Sequence, residues 1–182
     1  LEAQVDYFAR LGVTYATALI EDQIVNESIE VRQNLAPTLA LGAALPIAPR
    51  YRAGLEAMLT TSGYRGAEDG TDTDLGTLRT ASISLDLDGP IASQVRWRAG
   101  LGLIGYWPSE DQGIFLLGGT TRFLAGAGLN YRRPISTKWA LMGSLRYDIH
   151  RFTTEELQAR GFGQSQGVHR ISASVGLAGG TP

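Results

Sequence analysis

From Tyr51 to Thr61 the chain alternates without a break. The odd positions are Tyr51, Ala53, Leu55, Ala57 and Leu59, and the even positions are Arg52, Gly54, Glu56, Met58 and Thr60. A period of two defines a strand with two unlike faces. The same split recurs in segments at roughly 5–20, 34–46, 77–88, 94–107, 119–133, 137–151 and 167–178, making eight in all. In each segment most bulky apolar residues are odd, and the even face is mainly Gly, Ala, Ser, Thr, Arg and Asp. A soluble sheet packs its bulky face inside and turns charge to water. Here the small and charged residues need the enclosed side, and the bulky ones need an apolar surrounding. That inversion fits an all-β chain: an eight-stranded antiparallel up-and-down transmembrane β-barrel with a polar, side-chain-filled interior.

The totals agree. At 182 residues, 43% hydrophobic and with a mean hydropathy of −0.05, the chain is one domain of unremarkable bulk polarity. This is expected when only alternate residues meet lipid. No apolar run approaches the roughly 18 residues of a spanning helix. The first residue is Leu1, which suggests a mature form after signal-peptide removal. Cys is absent, so no disulfide or thiolate metal site exists. A net charge of −2 argues against a nucleic-acid partner. Of 16 basic residues only Lys138 is lysine. Arginine, with its planar fork of donors, suits charge held inside a structure. Gly100, Gly102, Gly126 and Gly128 lie within strands, where close packing against a neighbour justifies them.

The connections alternate long and short. Polar loops hold Glu21, Asp22, Asn26, Glu27 and Glu30, then residues 62–76, then Pro108, Glu110 and Asp111, then Glu155, Glu156 and Gly161. The short turns are 46–49, the turn opening at Asp88-Gly89-Pro90, and 133–136. Pro37 suggests a bulge in the second strand, and no segment reads as a helix. Outward rings mark two levels. Tyr7, Tyr51, Trp97, Tyr131 and Trp139 lie near the short-turn ends, and Trp107 and Tyr147 near the opposite ends, as membrane-interface girdles require.

The inward charges form a lumen polar network of Asp6, Arg10, Arg52, Glu56, Asp86, Asp88, Arg96, Arg98, Arg122, Arg132, Lys138, Arg146, Asp148 and Arg170. Eight strands enclose a space that side chains fill, so a closed set of ion pairs is favoured over an anion-selective pore. The loops carry most of the acid. Asp69-Gly70-Thr71-Asp72-Thr73-Asp74 has calcium-type ligands but not the spacing of a calcium loop, so a solvated acidic loop is the preferred reading. No catalytic, cofactor or metal residue stands out. His150 points in and His169 out, and Ser172, three residues from His169, falls on the other face. The His and Ser spaced two apart on one face, as in lipid A deacylase barrels, are missing.

The eight alternating strands, unequal connections, aromatic girdles and charged interior resemble small outer-membrane barrels of the outer membrane protein A and X type. The resemblance spans nearly the whole chain. It implies a Gram-negative outer membrane, both termini periplasmic, lipid and lipopolysaccharide around the wall, and the β-barrel assembly machinery as folding partner. Such barrels usually end on an aromatic residue. Here the barrel, residues 1–178, ends Val175-Gly176-Leu177-Ala178, and residues 179–182 read as a tail or the start of a linker. The expected function is a non-enzymatic anchor, surface-contact protein or accessory subunit working with other envelope proteins. A narrow pore and a lipid-modifying enzyme are the alternatives. A soluble ligand-binding barrel would need its apolar face inside.

Overall fold

A computed structural model describes residues 5–24, 27–68, 71–111, 113–159 and 165–180. Among these, eight strands close a ring: β1 (Asp6–Ala16), β4 (Ala36–Ala48), β5 (Tyr51–Glu68), β6 (Thr71–Pro90), β7 (Val95–Pro108), β8 (Thr120–Pro134), β9 (Trp139–Phe152) and β10 (Gln166–Gly180). Ring order is β5-β4-β1-β10-β9-β8-β7-β6, with β5 pairing β6 to seal it and every pair antiparallel. Closure leaves no free sheet edge through the middle of the wall.

Pleating sends odd residues outward. Leu11, Leu55, Leu85, Leu101, Phe123, Leu145 and Val175 are all exposed, Phe123 at 85%. An apolar band of this extent, wrapped round a closed ring, is stable only against hydrocarbon. Tyr7, Tyr51, Tyr131 and Trp139 sit exposed toward the short-turn end, and half-buried Trp97 packs edge-on against Tyr51 with ring centroids 6.4 Å apart. Trp107 and Tyr147 sit toward the loop end, joined by Tyr15.

Several boundaries differ from the sequence reading, and the connections explain why. The first long loop contains a hairpin, β2 (Ile20–Ile24) with β3 (Glu27–Gln33), and β3 adds to β5. These residues extend the first two ring strands past the barrel. The 62–76 segment is also strand: β5 and β6 run on together to the pair Glu68↔Thr71, across a register shift between Gly63 and Arg65. Strong turn and acid content hid this pairing, because its alternation is polar on both faces. Asp69 and Gly70 of the calcium-like run, and residues 160–164 with Gly161, lie outside the described residues, as do the side chains of Asp22, Asn26, Glu27 and Glu68. Pro37 keeps register opposite Val13, and the irregularity falls at Pro46/Ala48 instead. Two short helical pieces occur where none was expected, a 3₁₀ turn at Gly113–Phe115 and α1 at Glu155–Ala159.

Those two pieces serve a purpose. Toward the loop end the inward residues change from polar to apolar. Tyr64, Leu78, Ile104, Tyr106, Leu124, Phe152 and Val168 meet Leu19, Ile20 and Val31 from the β2–β3 side, and Ile114, Phe115 and Leu157 from the helical pieces. Tyr64, Phe115, Phe152 and Tyr106 form a chain of edge-to-face contacts with centroids 5.9, 5.9 and 5.1 Å apart. Thr154 fixes the lid: its Oγ1 donates to the Ile114 carbonyl at 2.6 Å and accepts from the Leu157 amide at 3.2 Å. The interior is therefore polar only through the middle and the short-turn end.

Candidate functional site: the filled lumen

The polar interior is layered. At the short-turn rim, Asp6 on β1 takes Arg52 at 2.8 Å and Arg132 at 2.6 Å, and Asp88 on β6 takes Arg96 at 2.6 Å. One level deeper, Glu56 on β5 pairs with Arg10, which arrives from β1, and with Arg98 on β7 at 2.8 Å. Asp86 on β6 holds Arg98 at 2.6 Å and Arg146 on β9 at 2.9 Å. Arg146 Nε also donates to Asp148 at 2.7 Å, and Ser84 donates to Asp86 at 2.9 Å. Asn130 Oδ1 accepts from Arg10 at 3.3 Å, and the Arg10 guanidinium lies 4.7 Å from the centre of the Phe8 ring.

Small residues opposite make this possible. A Cβ on Gly100 would stand 2.1 Å from Asp86 Oδ1, and one on Gly126 would stand 2.0 Å from Asp148 Oδ1. Each carboxylate occupies the space that its cross-strand glycine leaves, since Gly100 pairs with Asp86 and Gly126 with Asp148. The glycines on the even face are thus part of the ionic layer.

Above the ion pairs lies a hydroxyl layer. Thr14 on β1 bonds Thr38 at 2.7 Å and Ser172 at 2.8 Å, and Thr60 bonds Thr80 at 2.5 Å. Arg170 donates to Thr80 at 3.3 Å. Next, Tyr106 OH meets His150 Nε2 at 2.6 Å beneath the apolar lid. Among the described residues of the barrel proper, four buried arginines (Arg10, Arg98, Arg146, Arg170) face three buried carboxylates (Glu56, Asp86, Asp148).

Two residues of the expected network lie elsewhere. Lys138 is exposed beyond the start of β9, in the turn that Ser136 closes by accepting from the Lys138 and Trp139 amides. It precedes the strand, so the inward parity does not apply to it. Arg122 is on β8 but at the loop end, where β8 no longer pairs with β9. Its Nε and one terminal nitrogen both donate to the Thr153 carbonyl, at 3.1 and 2.5 Å, and bridge the parted strands. The Thr and Ser layer and the apolar lid were not singled out from sequence. The hydroxyls are evenly spread along the even face, and the lid depends on which loop residues fold inward.

His169 Nδ1 bonds Tyr147 OH on the outer surface. Ser172 is committed to Thr14 inside the wall.

A sealed eight-stranded ring with an apolar exterior and an ion-paired interior is the fold of small transmembrane β-barrels of the outer-membrane OmpA/OmpX-like type. No family model matches the sequence, and no curated protein does. Solved structures do match. The outer membrane protein OprG from Pseudomonas aeruginosa superposes with a TM-score of 0.60 at 12% identity, covering 98% of this chain and 96% of that one. Ail, the attachment invasion locus protein of Yersinia pestis, in complex with a heparin analogue, gives 0.54 at 12% identity with full coverage of both chains. The outer membrane protease OmpT from Escherichia coli gives 0.50 at 9% identity, covering 100% and 99%. At such identities the likeness is one of fold, and the fold is shared by proteins of different activity.

Proposed function

We propose that this chain is a non-enzymatic barrel anchored in a Gram-negative outer membrane, with its termini toward the periplasm, which holds its loop-end hairpins as a contact surface for other envelope or external molecules. The observation that carries this reading is double sealing. The ion-paired layer of Arg10, Glu56, Asp86, Arg98 and Arg146 fills the lumen across the middle. The aromatic lid of Tyr64, Tyr106, Phe115 and Phe152 closes the loop end. Long side chains that interlock across the lumen suit a rigid post better than a conduit. The bonded states of His169 and Ser172 support a non-catalytic role.

Insertion into planar bilayers is the test. The expected trace shows no steady discrete current at moderate voltage, and regular unitary steps in the wild type would overturn the sealed-post reading in favour of a narrow pore. Orientation is tested in cells, because the chain has no native cysteine. A membrane-impermeant maleimide is expected to label Asp111→Cys at the loop end and not Ser93→Cys in a short turn. The reverse pattern would invert the assignment. The assembly machinery and lipopolysaccharide are the partners this placement calls for.

A further inference from the structure

At the short-turn end the lumen opens into a vestibule of about 590 Å³, lined by Arg50, Arg52, Arg96 and Arg132 with the turn residues around Pro49 and Pro90. The volume lies within the roughly 300–1,000 Å³ typical of ligand clefts. Four guanidinium groups stand here against two carboxylates, Asp6 and Asp88. Arg96 is oriented by Asp88 and by the Arg50 carbonyl, to which it donates at 2.8 Å. Arg52 and Arg132 share Asp6. The exposed Arg50 guanidinium has no ion pair among the described residues. The floor beneath is a cavity of only about 40 Å³ above Glu56, Arg98 and Asn130, so a solute entering from this end stops at the rim.

We propose that this vestibule is a binding site for a small soluble polyanion bearing phosphate groups. Arginine forks present paired donors that match phosphate oxygens, and among the described residues the rim carries a formal surplus of two positive charges to be neutralised. Arg52, Arg96 and Arg132 sit at inward positions, so the site opens along the barrel axis to water and away from the acyl chains outside the wall. That geometry selects a dissolved anion over a lipid headgroup. The site is independent of whether the barrel is sealed at the loop end.

Inorganic pyrophosphate is a suitable probe, titrated calorimetrically into the folded barrel in a zwitterionic detergent. The expected result is saturable binding of one anion per barrel, weakened at least tenfold by Arg50→Glu and less than twofold by Arg151→Glu. The second variant makes the same charge change on the exposed surface at the opposite end. Arg50→Gln removes the charge without inverting it and reports the same loss on a smaller scale if Arg50→Glu does not fold. Absence of saturable binding, or equal losses in the Arg50 and Arg151 variants, would overturn the site. A repeat in nanodiscs of phosphatidylcholine with or without phosphatidylglycerol separates the sources. Unchanged pyrophosphate affinity supports a soluble ligand, and competition by phosphatidylglycerol would assign the site to lipid and refute the proposal.

Discussion

Arg146 on β9 and Asp86 on β6 meet across the lumen at 2.9 Å, although two whole strands separate them around the ring and 60 residues along the chain. The contact ties opposite walls together. It also shows why the arginines here are long and the residues between them are glycine: a side chain must reach the axis past a wall that offers no bulk.

Glu56 is the most demanding member of that layer, because it pairs with Arg10 and Arg98 and lies 3.8 Å from Arg146 as well. Glu56→Ala is expected to destabilise the barrel by about 3–5 kcal/mol, the usual cost of leaving a buried charge without its partner. The exposed Glu110→Ala is expected to fall within about 0.5 kcal/mol of wild type. Urea unfolding in lipid vesicles, followed by tryptophan fluorescence, makes the comparison, and equal midpoints would contradict it.

The glycine pattern makes a second prediction. A methyl on Gly100 would meet Asp86 Oδ1 at 2.1 Å and the Leu85 carbonyl at 2.4 Å, whereas one on Gly143 would find nothing nearer than Tyr131 Cβ at 3.9 Å. Gly100→Ala should cost about 1–3 kcal/mol through overpacking, and Gly143→Ala should be tolerated. The heat-modifiable gel shift of the folded form is a direct readout.

Leu101, 71% exposed on the outer band, tests the solvent it faces. Leu101→Arg is expected to destabilise the protein in bilayers by about 2–4 kcal/mol. A surface leucine in water would be replaced by arginine at little cost, so a neutral result would mean that the band does not face lipid.

Tyr64 lies three residues beyond Thr61, which is level with girdle residue Trp107 through Arg79, so it belongs to the lid outside the spanning wall. Burial, with Glu110 adding to it, raises its phenol pKa above the ordinary 10.0. The unfolded chain therefore gives up this proton first. The stability that the neutral phenol contributes is present in full below pH 10 and is lost as pH climbs through the raised folded value. Amide hydrogen exchange in the lid is expected to quicken above pH 10, and Tyr64→Phe should blunt that rise. Its hydroxyl has no hydrogen-bond partner among the described residues, so the same variant should leave neutral-pH stability within about 0.5 kcal/mol. Identical alkaline profiles for the two proteins would disprove the assignment.

The architecture was legible because one rule, odd out and even in, holds through all eight ring strands. Leu55, Leu101 and Leu141 face out, and Arg52, Arg98 and Arg146 face in, wherever the pattern is uninterrupted. The same rule misplaced Lys138, since parity has meaning only inside a pleated strand and Lys138 precedes one. It put Arg122 on the correct side but could not show that β8 and β9 have parted at its height. The lid was illegible for a different reason. Tyr106, Phe152 and Val168 obey the inward parity, yet nothing in the strand pattern says that Phe115 and Leu157, in the connections after β7 and β9, fold over to meet them.

The seam between β1 and β10 joins Asp6 to Gly180 and Gly12 to Ser174, so the wall closes only when the last of the eight ring strands in chain order has been made. Until it arrives, β1, with Arg10, has β4 as its only strand neighbour. An emerging or translocating chain thus carries naked guanidinium groups and an unmatched greasy stripe at the same time, and no partial product can hide both. Half a cylinder of this composition would be soluble in neither water nor oil.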